Sequence, residues 1–244
     1  MNQRQRMYFI PLVLVATTLA ARAAVGQGQA VENAVPWASW IEPQFPFFST
    51  VVDARSSGPE TAMDNLTARA LVFPLGPDCL LAYDIDLLRV AVVWTPGEVP
   101  FENGGMAVNS YPYQGDKVNG GLDSLPKPHG EIWFQNGIYS GVGLGRPLVI
   151  DPRPSLPDDE QVIRGGLDPQ YARFLGIDLS RGLEIQYELG GSVRVDERFL
   201  REQNRLIRQL RIDAHGEPVF IVLAKAANPS AFQCRGAGVI ETVD

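Results

Sequence analysis

The chain has 244 residues, 45% of them hydrophobic, and a formal net charge of −7 at pH 7. That is enough chain for one large core or two small ones, and its acidic balance sets it against nucleic acid and anionic membrane surfaces as partners. Its two cysteines and two histidines form no CxxCH and no CxxC motif, which excludes covalent haem and Cys-based zinc sites; no cofactor and no metal is expected.

Arg4 and Arg6 precede an apolar run from Met7 to about Ala20, and Ala21-Arg22-Ala23 offers a small-x-small cleavage site. This is the pattern of a secretory signal peptide over residues 1–23. The run falls short of the roughly 20 residues a bilayer span needs, no Cys follows it as a lipid anchor would require, and Arg4-Gln5-Arg6 is not a twin-arginine pair. The chain is therefore expected to be secreted or periplasmic, with no membrane span after cleavage. Loss of Arg4, Arg6 and Arg22 would take its formal charge from −7 to −10.

Residues 24–60 read as an arm rich in proline and aromatics, with Pro36-Trp37-Ala38-Ser39-Trp40 and Pro43-Gln44-Phe45-Pro46-Phe47-Phe48. Prolines at this density forbid a helix and disfavour a central strand, so the rings are expected to pin an extended segment onto the body. The functional alternative is a sugar-stacking platform of Trp37, Trp40 and Phe45.

From Asn65 to Trp94, three apolar runs (Ala70–Leu75, Cys79–Tyr83 and Leu87–Trp94) are separated by Gly-Pro-Asp and Asp-Ile-Asp, spacers short enough only for tight reversals. The spacing predicts a three-stranded antiparallel meander. Simple alternation places Leu88, Val90, Val92 and Trp94 on one face of the third strand and Leu87, Arg89, Ala91 and Val93 on the other. A strand apolar on both sides belongs inside a sandwich, and Arg89, its one charge, needs a partner such as Asp84, Asp86 or Asp64. Asp84 and Asp86 could ligate Ca²⁺ or cap the turn through their own backbone; the second reading is preferred, because no further regularly spaced ligands surround them.

Thr95–Lys127 reads as a long irregular loop, and Tyr111 and Tyr113 within it make it the first candidate for a binding surface. His129-Gly130-Glu131 invites an acid/base or metal reading, and Trp133 follows closely. The glycine-spaced run Gly137–Gly145 lacks the ending of a phosphate loop. Residues 146–169 look like a solvated crossing. Strand character resumes at Tyr171–Leu179, and the clearest hairpin alternates from Leu183 through Leu189, turns at Gly190-Gly191 and returns through Val193 and Val195. Residues 196–210 fit either a helical stripe or period two; a turn followed by a strand from about Asn204 is expected, with a partner run at Val219–Leu223. His215 reads as a solvated turn residue. Cys79 and Cys234 could pair, closing a long loop worth about 4–5 kcal/mol in the chain-entropy model, or remain separate buried thiols.

The run carrying Asn65, Arg69, Leu75-Gly76, Tyr83-Asp84-Ile85-Asp86 and Leu88-Arg89-Val90-Ala91 resembles an uncharacterised exported bacterial domain. That domain is found near the start of large proteins that often also carry c-type cytochrome modules. The run from Tyr171 to Leu210, with Arg173-Phe174-Leu175-Gly176 before the hairpin, resembles its second half. Up to Asp244 the chain shows neither a CxxCH module nor a propeller, so the resemblance implies no electron transfer and supplies no catalytic residues.

The expected fold is all-β: a large antiparallel β-sandwich over residues 61–244, with long loops and few helices apart from the signal peptide. The expected function is an exported non-enzymatic binding or accessory module for a carbohydrate or a periplasmic protein, with Asp84, Asp86, Tyr111, Tyr113, His129, Glu131 and Trp133 as candidate ligand contacts. Two alternatives are a sugar-active β-sandwich enzyme using His129 and Glu131 with Asp84 or Asp86, and a structural subunit of an exported redox assembly.

Overall fold

The structure, a computed structural model, describes residues 8–15, 46–55, 65–102, 125–154, 165–203, 205–223 and 232–234. Among them every regular element is a strand, and every strand pair is antiparallel. The meander forms as expected from β3 (Leu66–Pro74), β4 (Leu80–Asp84) and β5 (Arg89–Glu102). It is widened by β2 (Phe48–Asp53) beside β3 and β6 (Lys127–Gln135) beside β5, giving a five-stranded sheet in the order β2-β3-β4-β5-β6. The end of the aromatic arm is thus an edge strand. Pairing of Phe101 with Pro128 and of Glu102 with Lys127 carries β5 well into the segment read as loop.

The second sheet contains β8 (Ala172–Asp178), β9 (Glu184–Leu189), β10 (Val193–Glu202) and β11 (Arg205–Ile212). Beyond β11 lie β1 (Tyr8–Val15) and β13 (Phe232–Cys234), in the order β13-β1-β11-β10-β9-β8. A small ribbon of β7 (Val142–Leu144) and β12 (Val219–Ile221) completes the described strands. Gly190 and Gly191 carry the β9–β10 turn at φ +55° and +69°, a conformation open to glycine at no steric cost. The expected turn in residues 196–203 is not formed over most of that span. β10 runs straight to Glu202 and reverses at Gln203, because Glu197 and Phe199 point into the core while Arg198 and Leu200, which alternate with them, are half-buried and exposed, so period two holds along the strand.

The main core lies between the sheets. Leu71, Phe73, Leu81 and Tyr83 from one meet Ile185, Leu189, Val195, Phe199 and Leu210 from the other. A second cluster of Val52, Ala70, Val72, Ala82, Val92 and Trp94 covers the opposite face of the five-stranded sheet, which confirms that its central strands are dry on both sides. The predicted alternation along β5 breaks at one point. A bulge opposite Ala82 and Tyr83 puts Val90 and Val93 into the main core and Ala91, Val92 and Trp94 into the second cluster, since one extra residue switches the facing of everything beyond it.

At the centre of the main core is a buried ion pair. Glu197 and Arg208 are 0% and 1% exposed, and Arg208 Nε–H donates to Glu197 Oε1 at 2.6 Å. The other carboxylate oxygen accepts from the hydroxyls of Tyr83 at 3.3 Å and Tyr187 at 3.2 Å, so one carboxylate ties the two sheets together. Burial first, and then the Glu197 charge, push both phenols well above their usual value near 10. A raised phenol favours the neutral form in the fold, so its contribution is fully present below the unfolded value and is lost as pH climbs above it. In an alkaline absorbance titration, two of the seven tyrosines are therefore expected to stay neutral at pH 10–11 and to ionise only together with loss of the circular dichroism of the fold.

Candidate functional site

The second buried arginine organises the opposite end of the meander. Arg89, at the first position of β5, is 0% exposed. Its Nε–H donates to Asp84 Oδ2 at 3.1 Å, Nη1 donates to Asn65 Oδ1 and to the Asn136 carbonyl at 3.0 Å each, and Nη2 donates to Thr67 Oγ1 at 3.1 Å. Of the three carboxylates considered from sequence, Asp84 is the partner. Its other oxygen, Oδ1, accepts the backbone N–H groups of Asp86 at 2.9 Å and Leu87 at 3.1 Å, which folds the Asp-Ile-Asp spacer into a capped turn. Leu88 closes this turn at φ +53°, a strained conformation for a branched residue. Burial pushes the Asp84 carboxyl above its ordinary range, opposed by the charge of Arg89.

Gly141 braces the turn from behind. Its N–H donates to the Leu87 carbonyl at 2.8 Å, and a Cβ there would collide with the Leu88 carbonyl oxygen and sit 2.6 Å from Arg89 Cα. The glycine run at 137–145 is thus a close backbone crossing, not a phosphate loop.

Asp86 is buried beside this scaffold, its side chain 3% exposed. Its Oδ1 accepts from Arg69 Nη2, raising the Arg69 pKa further, and its carbonyl accepts Leu167 N–H at 3.0 Å. Arg153, paired with Asp151, donates to the Gly165 carbonyl at 2.8 Å, which fastens residues 165–167 beside the turn. Between this segment, the turn and edge strand β8 opens a cleft of about 190 Å³, walled by Arg69, Asp86, Leu88, Gly166, Arg173 and Phe174 among others. Arg173 pairs with Glu188 at 3.2 Å, and its side chain is 57% exposed.

Of the other residues singled out from sequence, His129, Glu131 and Trp133 do not line this cleft. His129 and Glu131 are exposed on β6. Glu131 lies opposite Thr95, six positions along β5 from Arg89, the cross-strand neighbour of Asp84. At about 3.3 Å per residue that separates the pair from Asp84 by roughly 20 Å, so the acid/base constellation of His129 and Glu131 with Asp84 or Asp86 is not assembled. Trp133 is half-buried and structural: Nε1–H donates to Thr95 Oγ1 at 2.8 Å, and the Arg201 guanidinium, ion-paired to Asp78, sits 4.8 Å over its ring. Tyr111, Tyr113, Trp37, Trp40 and Phe45 lie outside the described residues. Cys79 and Cys234 are both free thiols; Cys79 leads into β4 of one sheet while Cys234 ends β13 of the other, so the disulfide left open from sequence is not formed. Among the described residues no group of three or more His, Cys, Asp or Glu could hold a metal, and no helix is long and apolar enough to cross a membrane. Sequence reasoning missed Gly166 as a site residue, and it noted Arg69, Arg173 and Phe174 only within the runs that carry a resemblance.

With the geometry established, the comparisons place the core of the chain. Residues 81–194, from β4 into the start of β10, match a family described as a domain of unknown function (DUF6797). The chain is thus similar, over that span, to an uncharacterised domain. No curated protein and no solved structure matches it.

Replacement of Arg89 by Met strands the Asp84 carboxylate in a dry site, and loss of one partner of a buried pair costs about 3–5 kcal/mol. At roughly 2–4 °C per kcal/mol for a domain of this size, the melting midpoint is expected to fall by about 6–20 °C in a calorimetric scan. Cys79 is buried and its thiol is pushed up to about 11 by desolvation. It should therefore resist iodoacetamide at pH 8 in the native chain, and unfolding in guanidinium without reductant should release two titratable thiols.

Proposed function

We propose that this chain is an exported, non-enzymatic binding module whose ligand, a carbohydrate or a segment of a periplasmic protein, is taken up at the sandwich edge beside β8. The observation that carries this reading is the division of labour at the Asp84–Asp86 turn. Asp84 and Arg89 are turned inward and consumed by the fold, while Asp86, itself buried, lines a cleft with the half-exposed Arg69 and Arg173 beside an aromatic ring. Polar groups held around a partly apolar concavity are what ligand recognition requires.

The export half of the reading rests on the leader pattern of residues 1–23. Cleavage after Ala23 would withdraw β1 from between β13 and β11. Expressed with its own leader in a bacterium, the protein should be recovered outside the cytoplasm beginning at Ala24, as read by intact mass; a cytoplasmic product retaining Tyr8–Val15 would contradict export. On a glycan array the mature chain should retain a defined oligosaccharide. An empty array, together with no periplasmic protein retained on the immobilised chain, would remove the binding reading.

A further inference from the structure

Resting on the reading of the chain as a binding module, we propose that the cleft between the Asp84–Asp86 turn and β8 is a subsite for one neutral sugar ring. Its size comes first. At about 190 Å³ it falls below the roughly 300–1,000 Å³ of sites that enclose a drug-sized ligand, so it takes a single ring or a terminal group.

Charge then separates neutral from ionic ligands. Arg69 is ion-paired to Asp86, which lines the cleft, and Arg173 to Glu188, which lies outside its lining, so each guanidinium already has a carboxylate partner. An anion entering here would meet two guanidiniums that are already ion-paired, on a chain that is acidic as a whole.

Hydrogen-bonding capacity points the same way. Asp86 uses Oδ1 for Arg69 and Arg173 uses one terminal nitrogen for Glu188. Among the described residues, Asp86 Oδ2 accepts no other hydrogen bond, and most of the five N–H groups of each arginine remain uncommitted. A carboxylate oxygen beside guanidinium donors matches a pair of neighbouring hydroxyls, one donating to the acid and the other accepting from the base. Phe174, with Leu88 and Leu167, supplies an apolar wall for the C–H face of a pyranose. Gly166 forms the floor. A Cβ on it would rest 3.8 Å from both Arg69 Nη2 and Asp86 Oδ1, so a larger side chain there would enter the cleft with no backbone collision.

The test titrates the full mature chain with methyl glucoside, methyl galactoside, methyl mannoside, glucuronate and acetate, following backbone amides by NMR. Gly166→Leu and Arg173→Ala, each first shown to melt like wild type, serve as variants that alter the cleft and spare the core. At least one neutral glycoside should shift the amides of Gly166, Leu167, Arg173 and Phe174, with affinity falling at least tenfold in Gly166→Leu and severalfold in Arg173→Ala. Binding of glucuronate and acetate without any neutral glycoside would overturn the assignment in favour of an anion site. An oligosaccharide retained equally by wild type and both variants would overturn the cleft assignment while leaving the binding-module reading intact. Shifts confined to the open edge of β8 on adding an extended peptide, with none from sugars, would likewise overturn it in favour of strand addition.

Discussion

A guanidinium with no exposure to water, at the first position of the central strand β5, is the constraint from which most of this architecture follows. A charge so placed is tolerable only if its donors are met, and Arg89 meets that condition with acceptors from four separate places in the chain: Asn65, Thr67, Asp84 and the Asn136 carbonyl. Asn65 in turn donates to the Ala91 carbonyl at 3.0 Å, and Asn136 to the Val90 carbonyl at 2.9 Å. The polar groups that surround the charge therefore also satisfy the backbone where the bulge interrupts the ladder. Once Asp84 is fixed by Arg89, its second oxygen caps the turn, the turn sets Asp86 against Arg69, and the cleft acquires its acid.

The Glu197–Arg208 pair is a second buried charge pair between the sheets, less completely satisfied, since Arg208 Nη2 has no hydrogen-bond partner among the described residues. One oxygen of Glu197 reaches Tyr83 on the five-stranded sheet and Tyr187 on the other, and Arg208 reaches the Val222 carbonyl at 3.2 Å. The Arg208 charge is strengthened: burial acts to lower its pKa, but the Glu197 carboxylate outweighs it. Apolar residues of similar volume could give equal or greater stability. What the pair supplies is alignment: sliding either sheet by one residue would separate a buried carboxylate from its partners, a penalty that a purely apolar interface would not impose.

How much of this was legible varies with the kind of signal. The meander, the Gly190–Gly191 hairpin and the sandwich class follow from alternation and turn chemistry, which are local. Arg89 was visible as a charge in an apolar strand, and its need of a partner could be stated outright; Arg208, flanked by Leu206, Leu210 and Ile212, carries the same mark. The partners were less visible, because choosing Asp84 over Asp86 depends on which carboxylate the turn points inward. The bulge in β5 was invisible, since Val90, Ala91 and Val92 are alike in character and nothing in them marks an extra residue. The cleft was hidden for a different reason. Arg69 and Gly166 stand far apart in the chain and are brought together by the capped turn and by the Leu167–Asp86 hydrogen bond, a contact between segments that no periodicity reports. His129 and Glu131 were conspicuous as residue types, yet strand register sets them along β6, away from the carboxylates that would have made them chemistry.

The inner network is the cause and the cleft the consequence, and amide hydrogen exchange separates the two residue by residue. In an Arg89→Lys variant, whose compact ammonium cannot reproduce the fork of donors, the amides of Asp86, Leu87, Gly141 and Leu167 should lose protection together while those of the β9–β10 hairpin keep theirs. Retention of wild-type protection at those four amides would show that Arg89 does not hold the turn, and the central claim would fall.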